Sequence, residues 1–447
     1  MPFELSKELI SHLEDAIENQ DVGFIQEHLD DLHAADITAI LYELNTKESK
    51  YVLDLLDVEL SAEILTELYE DTRAKFLKNF TPEELAHFVE HIESDDAADI
   101  LNEQVLRVRQ ETIAQLKDKE KAAHIVDLLR YDEDTAGGLM AKELIKANEN
   151  WTVVQCIDEI RRQASKVDRI YSIYVVDDHD ILLGRIPLKS IVLASDDTKI
   201  SELYEDDLQY VESFTSEEEV AQVMSKYDLT AIPVVNFQKK LLGRITIDDI
   251  VDVITEQAEL ERQLMAGISQ NVEHRDSIWL MTRSRLPWLL IGMMGGLTGA
   301  KLIGFFEADL IAVPAMAFFI PLIMATGGNV GIQSSSIVVQ GLASGSGLDD
   351  DVVSRLWKSF LVSIVNGVAI SSLVFTFNLF FMELNIALVV SFSLFCVVLL
   401  SSFIGTLTPY ILHRMEINPA LASGPFITTL NDLLGIAVYF GVAKLLI

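Results

Sequence analysis

Leu421–Phe440 reads LASGPFITTLNDLLGIAVYF, a stretch apolar enough to cross a bilayer except for one carboxylate, Asp432. A helical span needs about 20 such residues, and an acid at its centre costs about 2.5–3.5 kcal/mol on insertion scales. An acid kept there marks a functional site by default, because it needs a partner or an aqueous path. Asp432 has no basic partner in this stretch to neutralise it.

Working backward from this span, four more apolar runs are long enough to cross: Leu286–Phe306, Leu310–Val339, Val352–Phe381 and Ile386–Leu412, with the last candidate extending from Leu421 to Ile447. Basic residues precede the first (Arg283, Arg285), follow the second (Arg355, Lys358) and follow the fourth (His413, Arg414), whereas the other loops carry Glu307, Asp309 and Glu383. The positive-inside rule then places the N-terminus in the cytosol and the C-terminus outside, in a multi-pass protein of the cell (inner) membrane.

The second run differs from an ordinary lipid-facing helix. It holds Pro314 and Pro321 and then Ala325-Thr-Gly-Gly-Asn-Val-Gly-Ile-Gln-Ser-Ser-Ser336. Small and hydrogen-bonding residues at membrane depth lead to the expectation of a broken helix, tolerated only where it is buried in protein or lines a water path. Asn329, Gln333 and the serines offer oxygens to a hydrated ion, while small residues equally permit close helix packing. Both readings stand on sequence.

The remainder of the chain has another character. Of 34 basic and 69 acidic residues, seven and eight lie from Ile278 onward, leaving 27 and 61 before it, so nearly all of the formal charge of -35 sits on residues 1–277. Such a field repels nucleic acid and attracts cations, and it also aids solubility. Two cysteines, Cys156 and Cys396, are too few for a disulfide framework. The start MPFELSKELI lacks the basic flank and apolar core of a cleaved signal peptide.

Residues 1–135 repeat apolar positions at three- and four-residue spacing, as in Ile37, Ile40, Leu41 and Leu44. Thr81-Pro82-Glu83-Glu84 is a helix start, with a capping hydroxyl, a first-turn proline and acids at the positive dipole end. Ala35-Asp-Ile37, Ala62-Glu-Ile64 and Ala98-Asp-Ile100 suggest stacked helical hairpins forming a small superhelix.

Tyr131-Asp-Glu-Asp-Thr-Ala-Gly-Gly-Leu-Met140 ends that region. Beyond it, Ser172–Val176 matches Ala231–Val235 and Leu183–Ile186 matches Leu242–Ile245 at a constant offset of 59, an internal duplication of a strand, turn, strand, helix unit. The duplicate resembles a tandem of CBS motifs, regulatory modules that often hold adenine nucleotides between them. In the second copy, Gly243-Arg-Ile-Thr246-Ile-Asp-Asp249 has the hydroxyl and acid spacing such modules use for a nucleotide, with Asp249 for the ribose and Thr246 near the phosphates. The alternative is that Thr246 caps the next helix and Asp249 is a surface acid. The first copy has Pro187 and Ser190 in register and lacks both groups. ATP is thus a candidate cofactor at one site.

With these parts in order, the Gly327-Gly-Asn329 stretch and the Ser423-Gly-Pro-Phe…Thr-Thr…Asp432 span make nearly the whole chain resemble the MgtE family of magnesium channels. The resemblance implies a homodimer with a pore at its membrane axis. It also implies that two Asp432 side chains face that pore and that the acidic cytosolic domains close the channel when Mg2+ is abundant. Ile332 departs from a version of the motif that has a second asparagine there. The expected architecture is a multidomain membrane protein: an all-α superhelix at 1–135, tandem α/β CBS modules at 136–200 and 201–258, a connecting helix at 259–280 and a five-helix transmembrane domain at 281–447.

Magnesium prefers octahedral oxygen ligands and sheds water reluctantly, which suits carboxylates binding through water. Oxygen sites separate Mg2+ from Mn2+ or Co2+ poorly. For regulation, apposed acids repel until divalent cations lie between them. The candidates are Asp95, Asp96 and Asp99, then Glu217, Glu218 and Asp228, then Asp249, Asp252, Glu256 and Glu259. Two other functions stay open: a carrier coupled to sodium or protons, and a membrane-anchored metal or nucleotide sensor. No nucleophile and base motif points to an enzyme.

Overall fold

The computed structural model describes residues 5–163, 169–272, 277–343, 352–422 and 424–446. Ser423 of the last-span motif and residues 273–276 of the expected connecting segment lie outside the described residues. The chain forms two compact units, Met1–Ile254 and Thr255–Ile447.

Among the described residues the first unit opens with ten helices, α1 (Lys7–Glu18) to α10 (Lys119–Leu128). Their starts follow from local chemistry. Asn45 with Glu48 begins α4 (Thr46–Leu55), and Thr81 with Glu84 begins α7 (Pro82–Val89), each as a reciprocal capping box. Their apolar faces meet in one core that includes Leu13, Ile25, Ile37, Val52, Ile64, Leu77, Val89 and Leu101. Each such side chain removed from water stabilises the fold by about 1.5–3 kcal/mol, which holds together helices of only 8–12 residues that would be marginal alone.

The duplication folds as two three-stranded sheets of equal topology. In the first, β1 (Ile145–Asn148) runs parallel to β2 (Ile173–Val176), which pairs antiparallel with β3 (Leu182–Ile186). In the second, β4 (Val211–Glu212), β5 (Ala231–Val235) and β6 (Leu241–Thr246) repeat the arrangement. Even the register irregularity recurs, at Val175/Val176 and at Val234/Val235, again 59 residues apart. The two hairpin turns pair reciprocally: Leu182 N donates to Lys239 O at 2.9 Å, and Leu241 N to Asp180 O at 3.0 Å. Helices α11 (Val153–Gln163), α12 (Leu188–Leu193) and α13 (Glu217–Lys226) complete the modules.

The core of the second module is not its own alone. Ala98 and Leu128 of the helical region pack with Met140, Val220, Ile232, Ile245 and Ile250. The junction closes by backbone pairing, Ala136 N to Thr215 O and Gly137 N to Ser213 O, both 2.8 Å. Any Cβ on Gly137 would collide with the Tyr131 ring, which explains why the junction carries glycine there. Helix α14 (Ile247–Met265) leaves this module and runs on into the second unit. The segment expected as a separate connecting helix at 259–280 is therefore the end of α14, a non-helical stretch from Ala266 to Val272, and the first residues of the next helix.

Within the second unit, five helices among the described residues are long and apolar enough to cross a membrane. They are α15 (Ile278–Phe305), α17 (Ile320–Ala343), α18 (Val352–Phe381), α19 (Leu384–Arg414) and α20 (Pro425–Leu446), with a short α16 (Glu307–Ala312) after the first. Helix α19 is the most buried of the five and packs against α17, α18 and α20. Hydroxyls bind its neighbours to it: Ser334 donates to Ser402 at 3.1 Å, and Ser359 lies 3.1 Å from Ser402 and 2.7 Å from Thr406.

The expected break across Gly327–Ser336 is corrected: α17 is helical throughout that stretch. The irregular backbone lies upstream, in a 3-10 turn at Pro314–Phe319, where the Tyr439 hydroxyl donates to Met316 O at 3.0 Å. Pro321 falls in the first turn of α17, where its missing N–H breaks no intrahelical bond. The glycines serve close helix approach instead. Gly331 lies against Asn431 and Ile427 of α20, and Gly405 of α19 presses on the Gly331 carbonyl.

Candidate functional site

Asp432 sits mid-way along α20, half-buried, and lines a cavity of about 240 Å³ with Gly292, Gly295, Gly296 and Gly299 of α15, Met324 of α17 and Thr429 of α20. Its Oδ1 lies 3.7 Å from where a Cβ on Gly328 would stand. The Gly-Gly-Asn stretch and the intramembrane acid, about 100 residues apart in sequence, are thus neighbours. Asn329 does not join Asp432 in this cavity lining. It is exposed on α17, as is Gln333 one turn on. Polar groups on the outer face of a span cannot be left in lipid and belong against water or another protein surface.

Sequence reasoning missed two features beside Asp432. Asn431 is fully buried, and neither of its amide atoms has a hydrogen-bond partner among the described residues. The glycine face of α15 was legible as Gly292-Met-Met-Gly-Gly-Leu-Thr-Gly299, but nothing in that spacing said which helix it would meet.

The acidic candidates outside the spans separate into groups. Helix α8 (Ser94–Asn102) brings Asp95 and Asp96 toward the start of α14. Burial, then the charges of Asp96 and Asp249, hold Asp95 well above the usual carboxylate range. Asp96 is pushed up to about 7, by burial first and by Asp249 next, against the pull of Arg73. Burial also raises Asp249 and Asp252, and for both the Asp248 charge adds to it. Asp99, one turn further along α8, is likewise pushed up to about 7, by burial first and by the Asp96 charge next, against the pull of Arg73. Glu218 is an exposed first-turn acid of α13, and Asp228 follows that helix with φ 51°. Glu256 and Glu259 lie beyond Ile254, on the part of α14 that belongs to the second unit, where Glu259 pairs with Arg262 at 3.5 Å. Among the described residues, no three acids, histidines or cysteines converge at metal-ligand geometry.

Thr246 and Asp249 bond to each other. The Thr246 hydroxyl and N–H donate to Asp249 Oδ2 at 2.8 and 3.0 Å, so Asp249 reaches back to close the N-terminus of α14. One carboxylate oxygen is thereby used locally. Arg244, on the same strand, is buried and pairs with Glu93 at 2.7 Å.

An acidic first unit carrying two CBS-like modules, followed by a bundle of apolar helices with a half-buried carboxylate, defines a multi-pass membrane protein of the cation-transporting class. Residues 320–442 match the MgtE family, described as a divalent cation transporter. Residues 32–134 match the MgtE intracellular N domain, and 136–197 and 200–256 each match the CBS domain. The chain is 31% identical to the magnesium transporter MgtE of Thermus thermophilus over 99% of both chains. It is 28% identical to that of Bacillus subtilis, over 93% of this chain and 92% of the relative. A crystal structure of the cytosolic domain of the Mg2+ channel MgtE in complex with ATP is 34% identical, covers 55% of this chain and 99% of its own, and superposes with a TM-score of 0.51. The chain belongs to the MgtE family of magnesium transporters.

Proposed function

We propose that the protein is a magnesium-permeable homodimeric channel of the cell membrane, N-terminus inside and C-terminus outside, closed by Mg2+ bound to its acidic first unit. The observation that carries this is the placement of Asp432 beside Gly328, in a cavity within the bundle. A carboxylate there can hold a cation through the waters that Mg2+ releases reluctantly. The exposed polar face of α17, Asn329 and Gln333, supports a second copy, because two such faces across an axis make a wet path out of surfaces that lipid does not accept.

For regulation, the buried acids of α8 and the start of α14 share a region of low polarity, where like charges repel strongly. Their donor set is hard oxygen, and without three converging ligands it suits a hydrated divalent ion bound through water. Magnesium there favours the compact state, and its loss lets the helical region, residues 1–135, leave the second module. The ATP of the related cytosolic domain supports a nucleotide on this chain as well, with Thr246 and Asp249 releasing each other to contact it.

Purified protein in liposomes tests the reading. Mg2+ entry is expected to follow its electrochemical gradient without dependence on sodium or pH, and to be abolished by Asp432→Ala with assembly intact. Coupling to either ion would favour the carrier, and absence of flux would favour the sensor.

A further inference from the structure

Residues 87–91, at the end of α7, read His-Phe-Val-Glu-His, two imidazoles one helical turn apart in the H-x-x-E-H order that some zinc enzymes use to hold a metal. A spacing of four puts both on one helix face. Both residues are exposed, and their rings lie near-parallel, at 20°, with centroids 5.5 Å apart. His91 Nδ1 lies 2.8 Å from the His87 carbonyl oxygen, which only accepts, so Nδ1 carries the proton and Nε2 keeps a bare lone pair. Metal-bound histidines commonly make this contact with their second nitrogen, and it fixes ring and tautomer. Because the terminal torsion of histidine is broad, each ring can turn an Nε2 toward one ion at about 2.0–2.1 Å.

A histidine that only closes a helix end looks different elsewhere in the same unit. His28, in the last turn of α2 (Val22–Leu29), makes the same contact, Nδ1 to Phe24 O at 2.9 Å, and its ring stacks on Phe24 at 4.0 Å. Capping and stacking are satisfied there without a second imidazole, whereas on α7 the position one turn back holds a second nitrogen ligand. The motif does not serve hydrolysis here. Glu90, which would act as the base, accepts from Lys117 N and pairs with Lys117 Nζ at 3.9 Å. Among the described residues no third histidine, cysteine or acid joins the pair, so waters complete the coordination of an ion bound there.

We propose that His87 and His91 bind a divalent ion that favours nitrogen ligands, Zn2+ above all, and that this ion fastens the turn presenting Glu93 to Arg244. Imidazole suits zinc, copper and nickel, whereas Mg2+ takes oxygen, so Mg2+ does not compete for the pair. The acidic unit concentrates cations around it. His87 lies within α7 and His91 two residues past its end, so one ion bridging them closes the end of the helix. Ile92 follows, its carbonyl accepting from Lys121 Nζ, and then Glu93, which meets Arg244 at 2.7 Å. The bridge holds down the segment through which the helical region grips the second module.

The test is Zn2+ binding by the full-length protein in detergent, at millimolar Mg2+ to occupy oxygen sites, with amide exchange followed across residues 88–93. His87→Gln and His91→Gln are each expected to weaken Zn2+ binding by at least the about 10–100-fold that loss of an outer-shell partner costs. His28→Gln should leave it unchanged. In the parent, Zn2+ at ten times its dissociation constant should slow exchange across that segment by up to about tenfold, and neither α7 variant should show the slowing. Both histidines are exposed, so without Zn2+ the variants should exchange like the parent, which separates loss of the ion from loss of the fold. Absence of Zn2+ binding in the parent, or parent-like binding in both α7 variants, overturns the site. Binding by the pair without slower exchange overturns its role at Glu93.

Discussion

The Arg244 guanidinium of β6 meets the Glu93 carboxylate, just before α8, at 2.7 Å, with the arginine side chain only 4% exposed. The same guanidinium donates through Nε to Glu143 O. Nearby, Glu143 accepts from the Ser94 hydroxyl at 2.6 Å, and Lys142 N donates to that hydroxyl at 2.9 Å. A hydrogen-bonded latch thus joins the helical region to the second module beside acids that repel one another.

Removing one member of a buried pair leaves the other charge unsatisfied, at a cost of about 3–5 kcal/mol. Because Glu93 keeps partial access to water, Glu93→Ala is expected at the lower end of that range. It should lower the midpoint of urea unfolding of the first unit and, on the proposed gating, raise the Mg2+ concentration that halves the Mg2+ flux. An unchanged midpoint, read from a probe placed in α8, would mean that the latch contributes nothing.

The acids of α8 imply a pH dependence of defined sign. Asp96 titrates near 7 in the folded unit against an ordinary value of 3.8, so between those values the folded unit binds a proton that the unfolded chain does not. Stability therefore falls as pH rises through this window, is fully present below about 4 and is fully lost above about 7. Amide exchange in α8 of the full-length protein, corrected for intrinsic rate, should show more protection at about pH 6 than at about pH 8. Millimolar Mg2+ should restore it at the higher pH. Protection that rises with pH would contradict the assignment.

Gly405 tests how the bundle is held. A Cβ there would run into the carbonyl of Gly331, which is backbone and cannot swing aside. Overpacking of this kind costs about 1–3 kcal/mol. Gly405→Ala should lower the thermal midpoint of the detergent-solubilised protein and reduce Mg2+ flux, since α17 carries Gly328 beside Asp432. A variant with the parent's midpoint would show that α17 and α19 are free to separate.

Much of this organisation is determined by sequence alone, for reasons that are local. Apolar length specifies the spans, and the cost of burying a charge singles out Asp432. Repetition at an offset of 59 specifies two like modules, down to the bulges at Val175 and Val234. Capping chemistry at Thr81 specifies where α7 begins. Tertiary structure decided what depends on neighbours. The stretch Gly327–Ser336 is an unbroken helix because adjoining helices fill the space its glycines leave. Glu93 and Arg244 are 151 residues apart, and only the docking of α8 on the second module makes them partners. Asn329 points outward while Gly328 meets Asp432, since adjacent helical positions differ by about 100° and only packing says which faces inward. The same limit concealed the α15 glycines, whose open space exists only once α20 lies beside them.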